Sequence, residues 1–294
     1  MQRKGQGAMR ILILGGTGLL GRALCAEAKR RGHVPLSAAR TDADYRLDLG
    51  EDGALAALLG EASPDMVINA AALVDLAACE ADPVRADHIN ARPAQVLANW
   101  SHKTAKPFTH ISTDHFFDVH GDEKHDEQAA VVLCNAYARS KYAAEQHALA
   151  APLALIVRTS LAGFHPDGRG FAHWALKALK NNEPMTLFDD FYGSVIDTPS
   201  FSTALFDLIA QKQTGLINLA SRDVSSKKDF ILGLAEAAGL AGQGAKTGSV
   251  SALVPRRARA LGLDVKRAEQ KLGYDLPGRA DVCARLVLLW RAQA

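Results

Sequence analysis

At 294 residues the chain can hold one large domain with an ample core. Its 48% hydrophobic and 22% charged residues exclude a disordered or fibrous protein, and a formal net charge of +2 gives no electrostatic case for nucleic acid or a membrane surface. No apolar run approaches the ~18 residues of a membrane span, and Cys25, Cys79, Cys134 and Cys283 have neither metal nor redox spacing, so reduced thiols and a cytoplasmic location are expected.

Residues 1–8 are polar and lack an apolar stretch, which predicts a disordered tail with the domain starting near Met9. Arg10-Ile11-Leu12-Ile13-Leu14 reads as a strand buried on both faces of a parallel sheet. Gly15-Gly16-Thr17-Gly18-Leu19-Leu20-Gly21 follows at once, then a helix over Arg22–Arg31. Strand, glycine loop and helix form the context of a dinucleotide site. Gly15 permits the turn, Gly18 admits a pyrophosphate, and Gly21 lets the helix pack closely on the strand. The free N–H groups around Thr17, Leu19 and Leu20, at the positive end of the helix, then hold the phosphates. A second strand, His33–Ala39, ends at Arg40, where an arginine suits the 2′-phosphate of NADP and an acidic residue would suit the ribose of NAD. Arg40, helped by Ser37, therefore places NADP(H) ahead of NAD(H), which is left open. A third strand, Tyr45–Leu49, brings Asp48 and Leu49 to the adenine; Asp48 reads equally as a cap of the next helix.

Asp52–Leu59 is an amphipathic helix. Met66–Ala72 is a buried strand whose small end, Asn69-Ala70-Ala71-Ala72, leaves room for a ligand at the carboxyl edge of the sheet. Helices are expected over Glu80–His88 and Asn90–Ser101, with Asn90 read as a helix cap rather than a buried orienting group. Phe108–Ser112 is the next strand, and Ser112, Thr113 and Asp114 sit at its end. The loop His115–Leu133 is acidic and carries His115, His120 and His125, but without paired histidine spacing, so no metal is expected. The helix from Asn135 puts Tyr137 and Lys141 on one face. Leu153–Val157 is the sixth buried run. Beyond it come a loop (163–170), a helix over Phe171–Leu179, a loop over Asp189–Asp197, a strand at Leu216–Ala220, and a helix over Ser225–Leu240 capped by Ser225 or Ser226. A basic loop, Val254–Arg259, and two short helices finish the chain. This order predicts an α/β fold: a doubly wound parallel sheet over 9–162, with 195–222 returning to it, and a smaller C-terminal substrate lobe from 163–194 and 223–294.

A ketone receiving hydride needs a proton on its oxygen. A tyrosine can supply it if its pKa falls from about 10 towards neutrality, a shift of about 4 kcal/mol that a nearby lysine ammonium partly provides. Thr113 can orient the same oxygen, and Lys141 can also hold the nicotinamide ribose. Thr113, Tyr137 and Lys141 are thus the candidate catalytic residues, the last two also touching the cofactor.

Gly15-x-x-Gly18-x-x-Gly21, Asn69-Ala70-Ala71, Thr113 and Tyr137-x-x-x-Lys141 resemble the extended branch of the short-chain dehydrogenase/reductase superfamily. Ile111-Ser112-Thr113-Asp114-x-x-Phe117-Asp118, Asn135-x-Tyr137-x-x-Ser140-Lys141-x-x-x-Glu145, Arg158-Thr159-Ser160 and Arg256-Arg257 resemble its dTDP-4-dehydrorhamnose reductase group. The resemblance implies a Rossmann-type domain and NADP(H)-dependent, or NAD(H)-dependent, reduction of a 4-keto group on a nucleotide-linked deoxysugar, as in carbohydrate biosynthesis. It places Arg256 or Arg257 near the substrate diphosphate and Val74 and His115 near the sugar. The group usually has tyrosine at His115, threonine and aspartate at Val74 and Ala77, and proline at Ala258, so the sugar itself is not fixed. His115, where dehydratases have glutamate, argues against dehydration. An epimerase, and a non-catalytic regulatory subunit resembling the β subunit of methionine adenosyltransferase, are the alternatives. A homodimer is left open.

Overall fold

The computed structural model describes residues 7–119, 121–241 and 245–292. The expected tail lies outside them except for Gly7 and Ala8, and so does His120. In chain order the elements are β1 (Arg10–Leu14), α1 (Leu19–Arg30), β2 (Val34–Ala39), β3 (Tyr45–Arg46), α2 (Ala54–Ala62), β4 (Met66–Asn69), α3 (Leu76–Ala81), α4 (Pro83–Asn90), α5 (Arg92–Thr104), β5 (Phe108–Ile111), α6 (Ala136–Leu149) and β6 (Ala154–Arg158). They continue with β7 (Ser160–Ala162), α7 (Phe171–Lys180), β8 (Met185–Phe188), β9 (Tyr192–Gly193), β10 (Val195–Asp197), α8 (Thr198–Ala210), β11 (Gly215–Asn218), β12 (Ser225–Ser226), α9 (Lys227–Ala238), β13 (Ala245–Gly248), β14 (Ala260–Leu261), α10 (Lys266–Leu272) and α11 (Arg279–Arg291).

Seven strands form one sheet in the order β11-β6-β5-β4-β1-β2-β3. Pairs from β3 through β6 are parallel. The order reverses between β1 and β4, the place where ligands bind in open α/β sheets. The expected doubly wound Rossmann-type sheet is present. Its continuous apolar strands explain it: Ile11 to Leu14 are 0% exposed, and each such side chain contributes about 1.5–3 kcal/mol on burial.

The chain divides into two compact units. The first comprises Met1–Ser112, Ser140–Val157 and Ser202–Leu216; the second comprises Thr113–Arg139, Arg158–Phe201 and Ile217–Ala294. These bounds differ from the expected ones, because Thr113–Arg139 groups with the second unit. The first unit's core joins Leu12, Leu14, Val67, Phe108 and Ile156 to Leu55, Leu58, Leu59 and Leu97 of α2 and α5. The second unit packs α7, α9 and α11 through Leu176, Leu179, Phe230, Leu234, Val282 and Leu286. Among the described residues, no helix is long and apolar enough to cross a membrane.

Several local expectations are corrected. The helix expected over Glu80–His88 is two helices, because Asp82 accepts the Arg85 N–H and Pro83 opens α4. Residues 189–197, expected as a loop, contain β9 and β10, whose strands are too short to show alternation. α1 begins three residues early, at Leu19, so Gly21 lies within its first turn. Ser226, one of the two expected caps, accepts the Asp229 N–H at the start of α9.

Candidate active site

The glycine loop shows why each glycine stands where it does. Gly15 has φ +76°, and a Cβ there would stand 3.0 Å from Ala71 Cα. A Cβ on Gly21 would stand 2.0 Å from the Gly15 carbonyl oxygen, so Gly21 serves close packing on the loop rather than on the strand. Gly16, which the sequence reading left without a role, is equally confined: its Cβ would meet Ser37 Cβ at 2.7 Å. Gly18 is the N-cap of α1, with no side chain capping the helix. The first N–H groups of α1, from Leu19 onward, therefore lack a side-chain acceptor, which suits an anion. The Thr17 carbonyl takes a hydrogen bond from Arg22 Nε, and the Leu20 side chain belongs to the core.

At the end of β2 the picture is mixed. Arg40 is exposed. Ser37 does not wait for a ligand: its hydroxyl donates to Asp44 Oδ2 at 2.7 Å and its N–H donates to the same oxygen at 2.8 Å. These bonds hold the Asp44 carboxyl below the usual carboxylate range. A carboxylate therefore stands beside the strand end where the 2′-phosphate of NADP was expected. Asp48 accepts the Gly50 N–H in a local turn; Gly53, not Asp48, is the N-cap of α2. Leu49 packs on the core.

After β4, Ala70, Ala71 and Ala72 are partly exposed and the Ala71 N–H donates to Asn69 Oδ1. Val74 is 66% exposed in the first unit. Asn90, expected as a cap, is instead the buried orienting group. Its Oδ1 accepts the Leu73 N–H at 2.7 Å, and its Nδ2 donates to the Leu73 carbonyl and to Ser140 Oγ.

Lys141 is 2% exposed. Its ammonium donates to the Ile111 carbonyl at 2.6 Å and lies 3.2 Å from His110 Nε2. Burial lowers its pKa to about 8, with Glu145 opposing the shift. His110 is held well below its ordinary value by burial and by Lys141, so it is neutral. Asn69 Oδ1 already accepts the Ala71 N–H, so Asn69 Nδ2 donates to His110 Nδ1 at 3.2 Å, which places the imidazole proton on Nε2, beside the Lys141 ammonium. The orientation of that amide and the charge of Lys141 are thus linked through one ring. Ser112 Oγ donates to Glu145 Oε1 at 2.6 Å, closing the buried network.

The second unit brings together Thr113, Asp114, His115 and Tyr137. Thr113 is 4% exposed; its hydroxyl lies 3.4 Å from Asp114 Oδ1 and accepts the His115 N–H. His115 meets Tyr137 edge-on at 5.6 Å. Burial lowers the His115 pKa, keeping the ring neutral. Burial raises the Asp114 pKa, offset in part by His115, Ser160 and Lys227. Asp114 Oδ2 and His115 Nδ1 are buried without hydrogen-bond partners among the described residues. Asn135 starts the Tyr137 helix: its Oδ1 accepts the Ala138 N–H, while its Nδ2 donates to the Arg256 carbonyl.

The two candidate arginines differ. Arg256 is bound to Asp118, which Arg259 also holds at 3.2 Å. Arg257 makes no hydrogen bond with the described residues, and its Nε is buried and unpartnered. Arg256, Arg257 and Arg259 line a cavity of about 210 Å³ with Val250, Ser251 and Leu253. The acidic loop is structural: besides Asp118, Glu127 accepts the Asn218 N–H and His125 stacks on Phe117 at 4.1 Å. One residue of the second unit was missed altogether. Lys227, at the first position of α9, faces Asp114 and Arg257 electrostatically, and burial lowers its pKa to about 8. The signal was a lysine at a helix start, where a cation is disfavoured.

Fold and site together define an extended short-chain dehydrogenase/reductase: a Rossmann-type sheet, a glycine loop opening α1, and Tyr137 and Lys141 one turn apart on α6. A profile of the RmlD substrate binding domain family matches residues 9–278, and the chain belongs to that family. It is similar to the "Probable low-salt glycan biosynthesis reductase Agl14" of Haloferax volcanii, 29% identical over 95% of this chain and 97% of that one. It is also similar to the dTDP-4-dehydrorhamnose reductase of Mycolicibacterium smegmatis, 30% identical over 79% of this chain and 70% of that one. The crystal structure of the Bacillus anthracis dTDP-4-dehydrorhamnose reductase in complex with NADP superposes with a TM-score of 0.86 at 23% identity, covering 96% of this chain and 99% of that one.

Proposed function

We propose that the protein is an NADP(H)-dependent, or NAD(H)-dependent, reductase of a 4-keto group on a nucleotide-linked deoxysugar of the dTDP-4-dehydrorhamnose type. The observation that carries this is the lysine of the Tyr137-x-x-x-Lys141 pair. Lys141 is buried and pinned to the Ile111 carbonyl, one helical turn beyond Tyr137 on α6. A solvated surface pair would have neither feature. The names of the relatives support the nucleotide-sugar class.

A bound reduced nicotinamide dinucleotide would supply the hydride. The glycine loop and the uncapped start of α1 fit its pyrophosphate, and the small residues 70–72 fit its passage along the sheet edge. Arg40 favours the 2′-phosphate of NADP(H), with Asp44 acting against it. Thr113 orients the substrate carbonyl through its hydroxyl. Tyr137 gives its phenolic proton to the carbonyl oxygen as negative charge develops there. Lys141, pinned to the Ile111 carbonyl, stabilises the resulting phenolate and binds the nicotinamide ribose. His115 meets Tyr137 edge-on as a neutral ring. Arg257, with an unpartnered buried Nε, binds the substrate diphosphate.

The test is loss of reduced-nicotinamide absorbance on mixing purified protein, NADPH or NADH, and dTDP-4-dehydrorhamnose. Turnover accompanied by formation of dTDP-rhamnose is expected. Absence of turnover with this and other 4-keto nucleotide sugars would sink the reading.

A further inference from the structure

Lys227 occupies a position that stability alone disfavours. It is the first residue of α9, at the positive end of the helix, directly after the Ser226 cap. It is half-buried, and Arg257 adds a second positive charge to its surroundings. Its ammonium lies 4.0 Å from the centre of the Phe171 ring and 5.8 Å from that of Phe191, which hold it in place through their π-faces. Nζ has no hydrogen-bond acceptor among the described residues, whereas the neighbouring Lys228 donates to Thr247 Oγ1. A half-buried cation held against two aromatic rings, with no acceptor among the described residues, is a donor available to a ligand oxygen.

The surroundings say which oxygen. Asp114 faces Lys227 electrostatically and is bonded in sequence to Thr113, the residue that orients the substrate carbonyl. A carboxylate at this point disfavours a phosphate or a carboxylated sugar. A hydroxyl is neutral and accepts from a lysine without meeting that repulsion. We propose that Lys227 is a specificity-determining residue that donates a hydrogen bond to a hydroxyl oxygen of the sugar ring, selecting nucleotide sugars that keep a hydroxyl close to the keto carbon. This inference rests on the nucleotide-sugar reading above.

The experiment compares dTDP with dTDP-rhamnose by titration calorimetry on the full chain, in the native protein and in Lys227→Met and Lys227→Gln. The native protein binds dTDP-rhamnose more tightly than dTDP. Both variants lose about tenfold or more in dTDP-rhamnose affinity, the scale of a hydrogen bond from a charged donor. Their dTDP affinity stays as it was, and their unfolding temperature is unchanged or raised, because a disfavoured cation has gone. A structural lysine gives the opposite pattern: lowered stability and equal loss for both ligands, which overturns the assignment. So does unchanged dTDP-rhamnose affinity in both variants. A native protein that binds neither ligand overturns the nucleotide-sugar reading and this inference with it; one that binds both equally overturns the Lys227 role alone.

Discussion

Two sets of buried polar groups, one in each unit, are treated in opposite ways. In the first unit, Lys141, His110, Asn69, Ser112, Glu145, Asn90 and Ser140 bond to one another or to backbone, deep in the protein. In the second, Asp114 Oδ2, His115 Nδ1 and Arg257 Nε are buried with no hydrogen-bond partner among the described residues, and the Lys227 ammonium meets only aromatic rings. A satisfied network is rigid and specifies one geometry. Unsatisfied groups carry a desolvation cost that a ligand can remove. The network around Lys141 thus fixes its own geometry, whereas Asp114, His115 and Arg257 carry a desolvation cost left unmet among the described residues.

Four tests bear on that contrast. The largest effect belongs to Tyr137→Phe, which removes the proton donor: kcat should fall about 10²–10⁴-fold, with cofactor affinity by fluorescence titration nearly unchanged. Full activity would end the assignment. Next is Asn90→Ala in the satisfied region. It leaves the Leu73 N–H, the Leu73 carbonyl and Ser140 Oγ short of partners, and denaturant unfolding should show a loss of about 2–3 kcal/mol. A change under about 0.5 kcal/mol, the scale of an ordinary surface substitution, would mean the network is not rigidly satisfied.

The third test is pH. Lys141 and Lys227 each have a pKa of about 8 in the folded protein against an ordinary 10.5. Between those values the unfolded chain binds protons that the folded one has released. The unfolding free energy therefore rises with pH from about 8 to 10.5, and the penalty of the two buried charges is fully present below pH 8. Lys227→Met should reduce that rise; an unaltered slope would show that Lys227 keeps an ordinary pKa. The smallest effects concern cofactor choice. Arg40→Ala should lower NADPH affinity more than NADH affinity, and Asp44→Asn should raise NADPH affinity, each by several-fold, the scale of one partly exposed charge. Equal changes for both cofactors would remove these residues from the 2′ position.

Much of this was readable in advance, for definite reasons. The strands β1, β4 and β6 are largely apolar runs, so burial on two faces left few alternatives for them, while β5 carries Thr109 and His110 between apolar ends. The glycine loop was legible because backbone crowding at Gly15 and Gly21 excludes every other residue. Asn90 was misjudged because a cap and an orienting group have the same local sequence; only Leu73 and Ser140, distant in the chain, distinguish them. The strands β8, β9 and β10 are two to four residues long and carry no period. Lys227 offered one local signal, its place at a helix start, but its meaning depends on Phe171, Phe191 and Asp114, which no local pattern joins to it. Ser37 was misread because its partner, Asp44, lies across a turn.

Asn135 imposes a constraint of another kind. One amide must accept from the Ala138 N–H and donate to the Arg256 carbonyl. Aspartate would cap the helix but turn lone pairs on that carbonyl. Serine would cap it and fall short of the loop. Glutamine carries both polarities on a longer stem that suits neither position. The start of the Tyr137 helix and the arginine loop are therefore joined through a position that tolerates one amino acid, and drift there is closed by geometry even though Asn135 has no part in the chemistry.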